Sequence, residues 1–180
     1  MISSDKRKIR QGIRAKIAEL SAKEKAALSA QIFSKIASLK AIEQASVVAI
    51  FVSLDDEPQT ADFIRQLSLQ KRVVTPRVEG DEMNFYDISE GVEIGSFGIM
   101  EPISATPVEP SEIDVMIVPG VAFTRLGARL GRGKGFYDKY LSLNGFKAQT
   151  IGVCYPCQLV EELPTESHDK MLDKVVCIES

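Results

Sequence analysis

The chain has 180 residues, 44% of them hydrophobic, with 22 Lys and Arg against 25 Asp and Glu and a formal net charge of −3. That length supports one globular domain, here 1–180, with a real core, and the acidic balance argues against a dedicated nucleic-acid binder, which carries a basic excess. No apolar run of about 18 residues is present, so no transmembrane helix is expected, and the opening MISSDKRKIRQGIRAK has no apolar segment of the signal-peptide kind, so the expected location is the cytoplasm.

Ile9, Ile13, Ile17 and Leu20 recur at helical spacing, with Lys and Arg between them. Ser21 and Glu24 then form a capping-box signature ahead of Leu28, Ile32, Phe33, Ile36 and Leu39, so two helices joined near Leu20 are predicted. SVVAIFV, from Ser46, reads as a buried strand. QTADFIRQLSLQ follows as a helix with Thr60 as N-cap, and RVVTPRV as a strand ended by Pro76. MNFYDI is a strand or hairpin arm. Residues 89–111 read as loops with a short element around FGIME. DVMIVPG is a further buried strand, closed by Pro119 and Gly120. GFYDKYLSLN is predicted helical and stopped by Asn144-Gly145. AQTIGVCY and KVVCIE close the chain as strands.

Strand, helix and strand in alternation predict an α/β fold, a largely parallel central sheet flanked by helices and preceded by two N-terminal helices. In such sheets ligands bind beyond the C-terminal strand ends. The loops 52–60, 119–135 and 154–169 fall there.

GARLGRGKGFYDKYL is the least ordinary stretch. Gly131, Gly133 and Gly135 alternate with Arg132 and Lys134, and Phe136, Tyr137 and Asp138 follow. Glycines allow close backbone approach to a ligand, successive amides form an anion nest, and Arg129, Arg132 and Lys134 offer charge to phosphate oxygens. A tight strand-to-helix connection with solvated cations is the plainer alternative. The Walker A pattern fails, because Gly133-Lys134 is followed by Gly135 rather than Ser or Thr, and Ala128 stands where its first glycine belongs. The dinucleotide pattern fails at Phe136. A basic–aromatic RNA strip is a second alternative, disfavoured by the acidic total.

DVMIVPGVAFTRLGARLGRGKGFYDKYL resembles the signature of the 5-formyltetrahydrofolate cyclo-ligase family, also called 5,10-methenyltetrahydrofolate synthetase. KRKIR, FVSLDDEPQT, TPRV, FGIMEP and LPTESHDKMLD occur in the family's order and at compatible spacing, so the resemblance spans nearly the whole chain. It implies an ATP- and Mg²⁺-dependent conversion of 5-formyltetrahydrofolate into 5,10-methenyltetrahydrofolate, with release of ADP and phosphate. Phosphorylation of the formyl oxygen creates a leaving group, and N10 then closes the ring. Positioning and electrostatics would dominate such a reaction, in keeping with the lack of a Ser-His or Cys-His signature around the single histidine, His168.

The resemblance also implies site residues. Lys6, Arg7, Lys8, Ile9 and Arg10, with Arg129, Leu130, Gly131, Arg132, Gly133, Lys134, Gly135, Phe136 and Tyr137, correspond to the ATP site. Lys134 and Arg132 are the catalytic cations, set to bridge ATP and the formyl group. Val52 and Glu57, with Arg132, Gly133, Lys134, Gly135 and Phe136, correspond to the folate site, and Asp138 and Asp169 to the Mg²⁺ ligands. From the residues alone, Lys6 and Arg10 share a helical face that also suits solvent, Asp138 suits a helix cap, Asp169 a turn, and Phe136 the core. The run Asp55-Asp56-Glu57 leaves open which acid points inward. Phe97, Gly98 and Glu101 match a family segment without a derivable role. Arg77 suits either substrate contact or a surface salt bridge. Cys154 and Cys157 form a C-x-x-C that the family pattern does not require, and these thiols are read as incidental. The expected partners are a small-molecule folate and ATP, with no nucleic acid and no membrane, for a monomeric enzyme.

Overall fold

The computed structural model describes residues 2–95 and 98–178. Helices α1 (Ile2–Ala18) and α2 (Ala22–Ala37) open the chain. They part at Ser21, whose hydroxyl accepts the Glu24 amide while the Glu24 carboxylate accepts the Ser21 amide, the reciprocal cap the sequence predicts. Ile13, Ile17, Ile32, Phe33 and Ile36 are buried in one cluster, so the apolar stripe of each helix faces the sheet. A helix α3 (Lys40–Gln44) follows; at five residues it is too short to show a period.

Strand β1 (Val47–Ile50) leads through α4 (Ala61–Ser68) into β2 (Arg72–Glu79), which turns at Gly80 into β3 (Glu82–Asp87). Strands β4 (Val92–Ile94) and β5 (Met100–Pro102) form a separate ribbon. After β6 (Val115–Val118) come a second ribbon of β7 (Ala122–Phe123) and β8 (Arg129–Leu130), then α5 (Phe136–Tyr140), β9 (Gln149–Cys154) and β10 (Lys174–Cys177). The six-stranded sheet runs β10-β9-β6-β1-β2-β3, and every neighbouring pair is parallel except β2–β3. The α/β class with a largely parallel sheet, flanked by helices and preceded by N-terminal helices, is therefore the observed one.

Alternation along the strands splits the core. Val48, Ile50, Val73, Ile117, Ile151 and Val153 meet the first helices and α4. Val47, Ala49, Val74, Met116 and Val118 meet Phe123, Tyr140 and Leu172 on the other face. Both faces are covered, so β1 and β6 are buried throughout and read as unbroken apolar runs.

Several local expectations need correction. Pro76 does not end its strand. It pairs with Phe85 inside β2, but β1 reaches only to Val74, so β2 is an edge there on that side and tolerates a residue without an N–H. Thr60 occupies the N-cap position of α4 without a side-chain cap bond; its hydroxyl accepts the Ser53 amide, while Ser53 accepts the Thr60 amide. The helix at Phe136 ends at Tyr140 rather than Asn144, with Ser142 Oγ donating to the Asp138 carbonyl and the following amides bonding three residues back. Residues 119–135 are not a plain loop, because they contain the β7–β8 ribbon. Gly127 closes it at φ 96°, where a Cβ would meet the Leu172 carbonyl oxygen at 2.2 Å. Phe97, in FGIMEP, and Glu179, at the end of KVVCIE, lie outside the described residues.

The strand order fixes where a site forms. From β1 the chain moves outward to β2, and later β6 returns on the opposite side of β1. The loops leaving the C-terminal ends of β1 and β6 therefore diverge and leave a crevice between them.

Candidate active site

The β1 loop supplies the carboxylates. Glu57 is 5% exposed, a burial that only satisfied hydrogen bonds make tolerable. Its Oε2 accepts the Leu54 amide at 2.9 Å, and its Oε1 accepts from Arg132 Nε and Nη2 at 3.1 and 2.9 Å. Asp56 is held by the same guanidinium through both of its oxygens and by Arg14 at 3.7 Å. Burial pushes the Asp56 carboxyl up, but the Arg132 hydrogen bond and charge outweigh it, leaving the pKa below the ordinary value. Arg132 is raised by these two acids against its own desolvation. The ambiguity of Asp55-Asp56-Glu57 is thus resolved: Glu57 is buried, Asp56 is half-buried and Asp55 is exposed. Val52 is half-buried just past β1.

The β6 loop supplies glycines and cations. Gly133 and Gly135 take φ of 106° and 73°, and a Cβ on Gly131 would lie 2.7 Å from Arg129 Nη1. Glycine at these three positions follows from backbone conformation twice and from guanidinium clearance once. Arg129 is buried beneath the loop. Its Nη2 meets Asp138 Oδ2 at 2.9 Å, its Nη1 donates to the Pro119 carbonyl at 3.4 Å, and its Nε has no hydrogen-bond partner among the described residues. Leu130 is buried in β8. Phe136 is half-buried against the second core cluster, so its core alternative holds in this structure, and Tyr137 touches both clusters. Burial raises the Tyr137 hydroxyl pKa and keeps it protonated. Lys134 is exposed and makes no hydrogen bond or ion pair among the described residues.

Helix α1 closes a third side. Lys6 is 8% exposed, and its ammonium donates to Glu166 Oε2 and Asp169 Oδ2, each at 2.8 Å. Desolvation lowers Lys6, yet the two carboxylates more than offset it and its pKa rises. Asp169 is correspondingly lowered against its own burial. Arg10 Nε donates to the Gly131 carbonyl at 2.8 Å and so ties α1 to the glycine loop. Burial and Arg14 lower the Arg10 pKa. The structure thus brings Lys6 and Arg10 into the site, turns Arg7 and Lys8 to solvent, and uses Ile9 as a half-buried core residue.

Asp138 and Asp169 share one rim, since the Lys170 amide donates to Asp138 Oδ1 at 3.3 Å. Asp138 does not cap α5, whose N-cap is Gly135. Asp169 does serve a turn, accepting the Glu166 amide at 2.8 Å. Glu166, His168 and Asp169 also bring ligand atoms within 4.8 Å of one another. Carboxylate oxygens such as those of Asp138 and Asp169 suit a hard cation such as Mg²⁺, whereas the His168 imidazole is 69% exposed and is not an oxygen donor.

The sequence reading missed Arg14, which pairs with Asp56, and Glu166, which pairs with Lys6. Lys6, Arg10 and Arg14 recur every four residues beside the Ile9, Ile13, Ile17 stripe, so Arg14 had a signal. A cavity of about 450 Å³ beside Asp56 is lined by Arg14, Ile17, Lys25, Leu54 and Ile99. Arg77 is explained locally: it lies 3.8 Å over the Tyr86 ring, pairs with Glu79 and donates to the Pro102 and Ser104 carbonyls. Cys154 is buried and stands in register with Cys177 across β9 and β10, not with Cys157. Hydrogen bonding with Cys177 and burial raise Cys154, while Cys177 is lowered by that bond and by nearby cations.

An open, mostly parallel sheet whose switch-point crevice is lined by a glycine-rich cationic loop and a buried carboxylate defines a small α/β enzyme with a polar site. The chain belongs to the 5-formyltetrahydrofolate cyclo-ligase family, whose model matches residues 2–178. It is 35% identical over 174 residues to the 5-formyltetrahydrofolate cyclo-ligase of Escherichia coli strain K12, covering 91% of this chain and 95% of that protein. The solution structure of Aquifex aeolicus 5,10-methenyltetrahydrofolate synthetase superposes with a TM-score of 0.86 at 33% identity, covering 96% of this chain and 89% of the other. The Mycoplasma pneumoniae 5,10-methenyltetrahydrofolate synthetase gives 0.79 at 30% identity, with 96% and 98% covered. No helix among the described residues is long and apolar enough to cross a membrane.

Proposed function

We propose that this protein converts 5-formyltetrahydrofolate into 5,10-methenyltetrahydrofolate with ATP and Mg²⁺, as a monomeric cytoplasmic enzyme on one domain spanning residues 1–180. The observation that carries the proposal is the meeting of Glu57 from the β1 loop with Arg132 from the glycine loop at the switch point. Membership of the cyclo-ligase family supports the choice of substrates.

The formamide oxygen is a poor leaving group, so the γ-phosphoryl group of ATP is transferred to it. N10 then attacks the formyl carbon, the ring closes and phosphate departs. Transfer of this kind needs positioning and neutralised charge more than a side-chain nucleophile. Lys134 has no competing partner among the described residues and neutralises the transferring phosphoryl group. Arg132 spans the space between the nucleotide loop and Glu57. The Glu57 carboxylate accepts the paired N–H donors of the reduced pterin's aminopyrimidine edge, with Val52 against its flank. Lys6, Arg10, Arg129 and the Gly131, Gly133 and Gly135 backbone receive the triphosphate. Asp138 and Asp169 are the residues that would hold Mg²⁺, which would supply positive charge to neutralise phosphate oxygens.

The test mixes protein, 5-formyltetrahydrofolate, ATP and Mg²⁺ and follows methenyl absorbance. Product that requires all four components is expected. Folded protein that yields none, beside an active control enzyme, overturns the assignment.

A further inference from the structure

Tyr155 sits between the two cysteines of CYPC, the one conspicuous motif the proposed reaction leaves unused. It is fully buried. Its hydroxyl donates to the backbone carbonyl of Glu57 at 2.9 Å and lies 3.2 Å from Ser29 Oγ. Ser29, buried on α2, accepts the amide of Gln59 at 2.9 Å. The residue between these two peptide groups is Pro58, which has no N–H of its own. The Glu57 carbonyl and the Gln59 amide, which flank the proline, are therefore both tied to side chains from outside their loop. A buried carbonyl left without its donor is costly, so the loop is held where these bonds form.

The same tyrosine is fixed from the other side. Its amide donates to Gln158 Oε1 at 2.8 Å, and Gln158 Nε2 donates to the carbonyls of Gly120 and Val121 at 2.9 and 3.2 Å. Gln158 is fully buried, and both ends of its amide are used. Gly120 and Val121 begin the segment that carries Arg129, Arg132 and Lys134. One short piece of chain after β9 thus anchors the carboxylate loop through Tyr155 and the cationic loop through Gln158. Burial raises the Tyr155 pKa, which keeps the hydroxyl a donor.

We propose that Tyr155 is a positioning residue for folate recognition, locking the Glu57 peptide through its hydroxyl and coupling that loop to the base of the glycine-rich loop. The inference rests on the assignment of Glu57 to the folate. It gives CYPC a role in which the tyrosine matters and the flanking thiols do not.

Tyr155→Phe keeps the ring and removes only the hydroxyl. The KM for 5-formyltetrahydrofolate should rise on the order of fivefold, the equivalent of one hydrogen bond, while kcat and the KM for ATP stay unchanged. Ser29→Ala, which releases the Gln59 amide, should move the same constant in the same direction and serves if Tyr155→Phe does not fold. In a Glu57→Ala background, with no carboxylate left to position, Tyr155→Phe should add nothing. Equal changes in both KM values, a fall in kcat alone, or full additivity with Glu57→Ala would overturn the proposal. Glu57→Gln separates the two levels. If it leaves the folate KM unchanged, the assignment of Glu57 falls and this inference with it. If it raises that KM while Tyr155→Phe and Ser29→Ala do not, the inference alone falls.

Discussion

Replacing Lys134 by alanine separates catalysis from stability at one position. Its ammonium has no hydrogen-bond or ion-pair partner among the described residues, and its side chain is exposed. Its loss breaks no hydrogen bond or ion pair among the described residues, so stability should change by no more than about 0.5 kcal/mol, equivalent to a Tm shift of about 1–2 °C at this chain length. Against a phosphoryl group in transfer, loss of one preorganised donor costs about 2.7–4 kcal/mol, or 10²–10³ in kcat. The measurements are methenyl absorbance at saturating ATP and folate and a thermal melt followed by circular dichroism. Arg129 provides the contrast. Its side chain is 4% exposed and meets Asp138 at 2.9 Å. Arg129→Ala therefore strands a carboxylate and should lower stability by about 3 kcal/mol, the lower end for a broken buried pair, because Asp138 keeps some solvent contact. Near-normal turnover in Lys134→Ala would refute the catalytic role, and a marked loss of Tm would refute the claim that the side chain stands apart from the fold.

Ile36→Ala on α2 empties a fully buried site and should cost about 2–5 kcal/mol in urea unfolding. The Asp87 carboxyl meets Arg72 Nε at 2.6 Å, and that bond, with those from Ser89, holds its pKa below the ordinary carboxylate value against burial. Its contribution is present above the unfolded pKa and lost as pH falls through the lower folded value, so Asp87→Asn should flatten the stability loss below about pH 4; an unchanged acid limb refutes this. Iodoacetamide should label Cys177 before buried Cys154 and leave folate turnover intact, which peptide mapping and the absorbance assay check; early labelling of Cys154 would contradict its burial and raised pKa.

The α/β class was legible because buried parallel strands are continuous apolar runs, as in VVAI of β1 and VMIV of β6, and because the Ser21–Glu24 cap is a purely local device. The glycine-rich loop was legible for the same reason, since its chemistry lies within adjacent residues. Three features were not. Pro76 reads as a strand end until the pairing of β2 with β1 is seen to stop at Val74, a fact about a neighbouring strand. The β7–β8 ribbon depends on two-residue strands too short to show alternation.

The partners of the charged residues were the third hidden feature. Which acid of Asp55-Asp56-Glu57 turns inward, and that Lys6 meets Glu166 and Asp169, depend on contacts between residues 75 to 163 positions apart. A sequence determines residue types and local periods, and here these carried the fold class and the cationic loop. Burial, pairing and the anchoring of Glu57 by Tyr155 arise only when strand order brings distant loops to one switch point, because desolvation and hydrogen bonding act through space rather than along the chain.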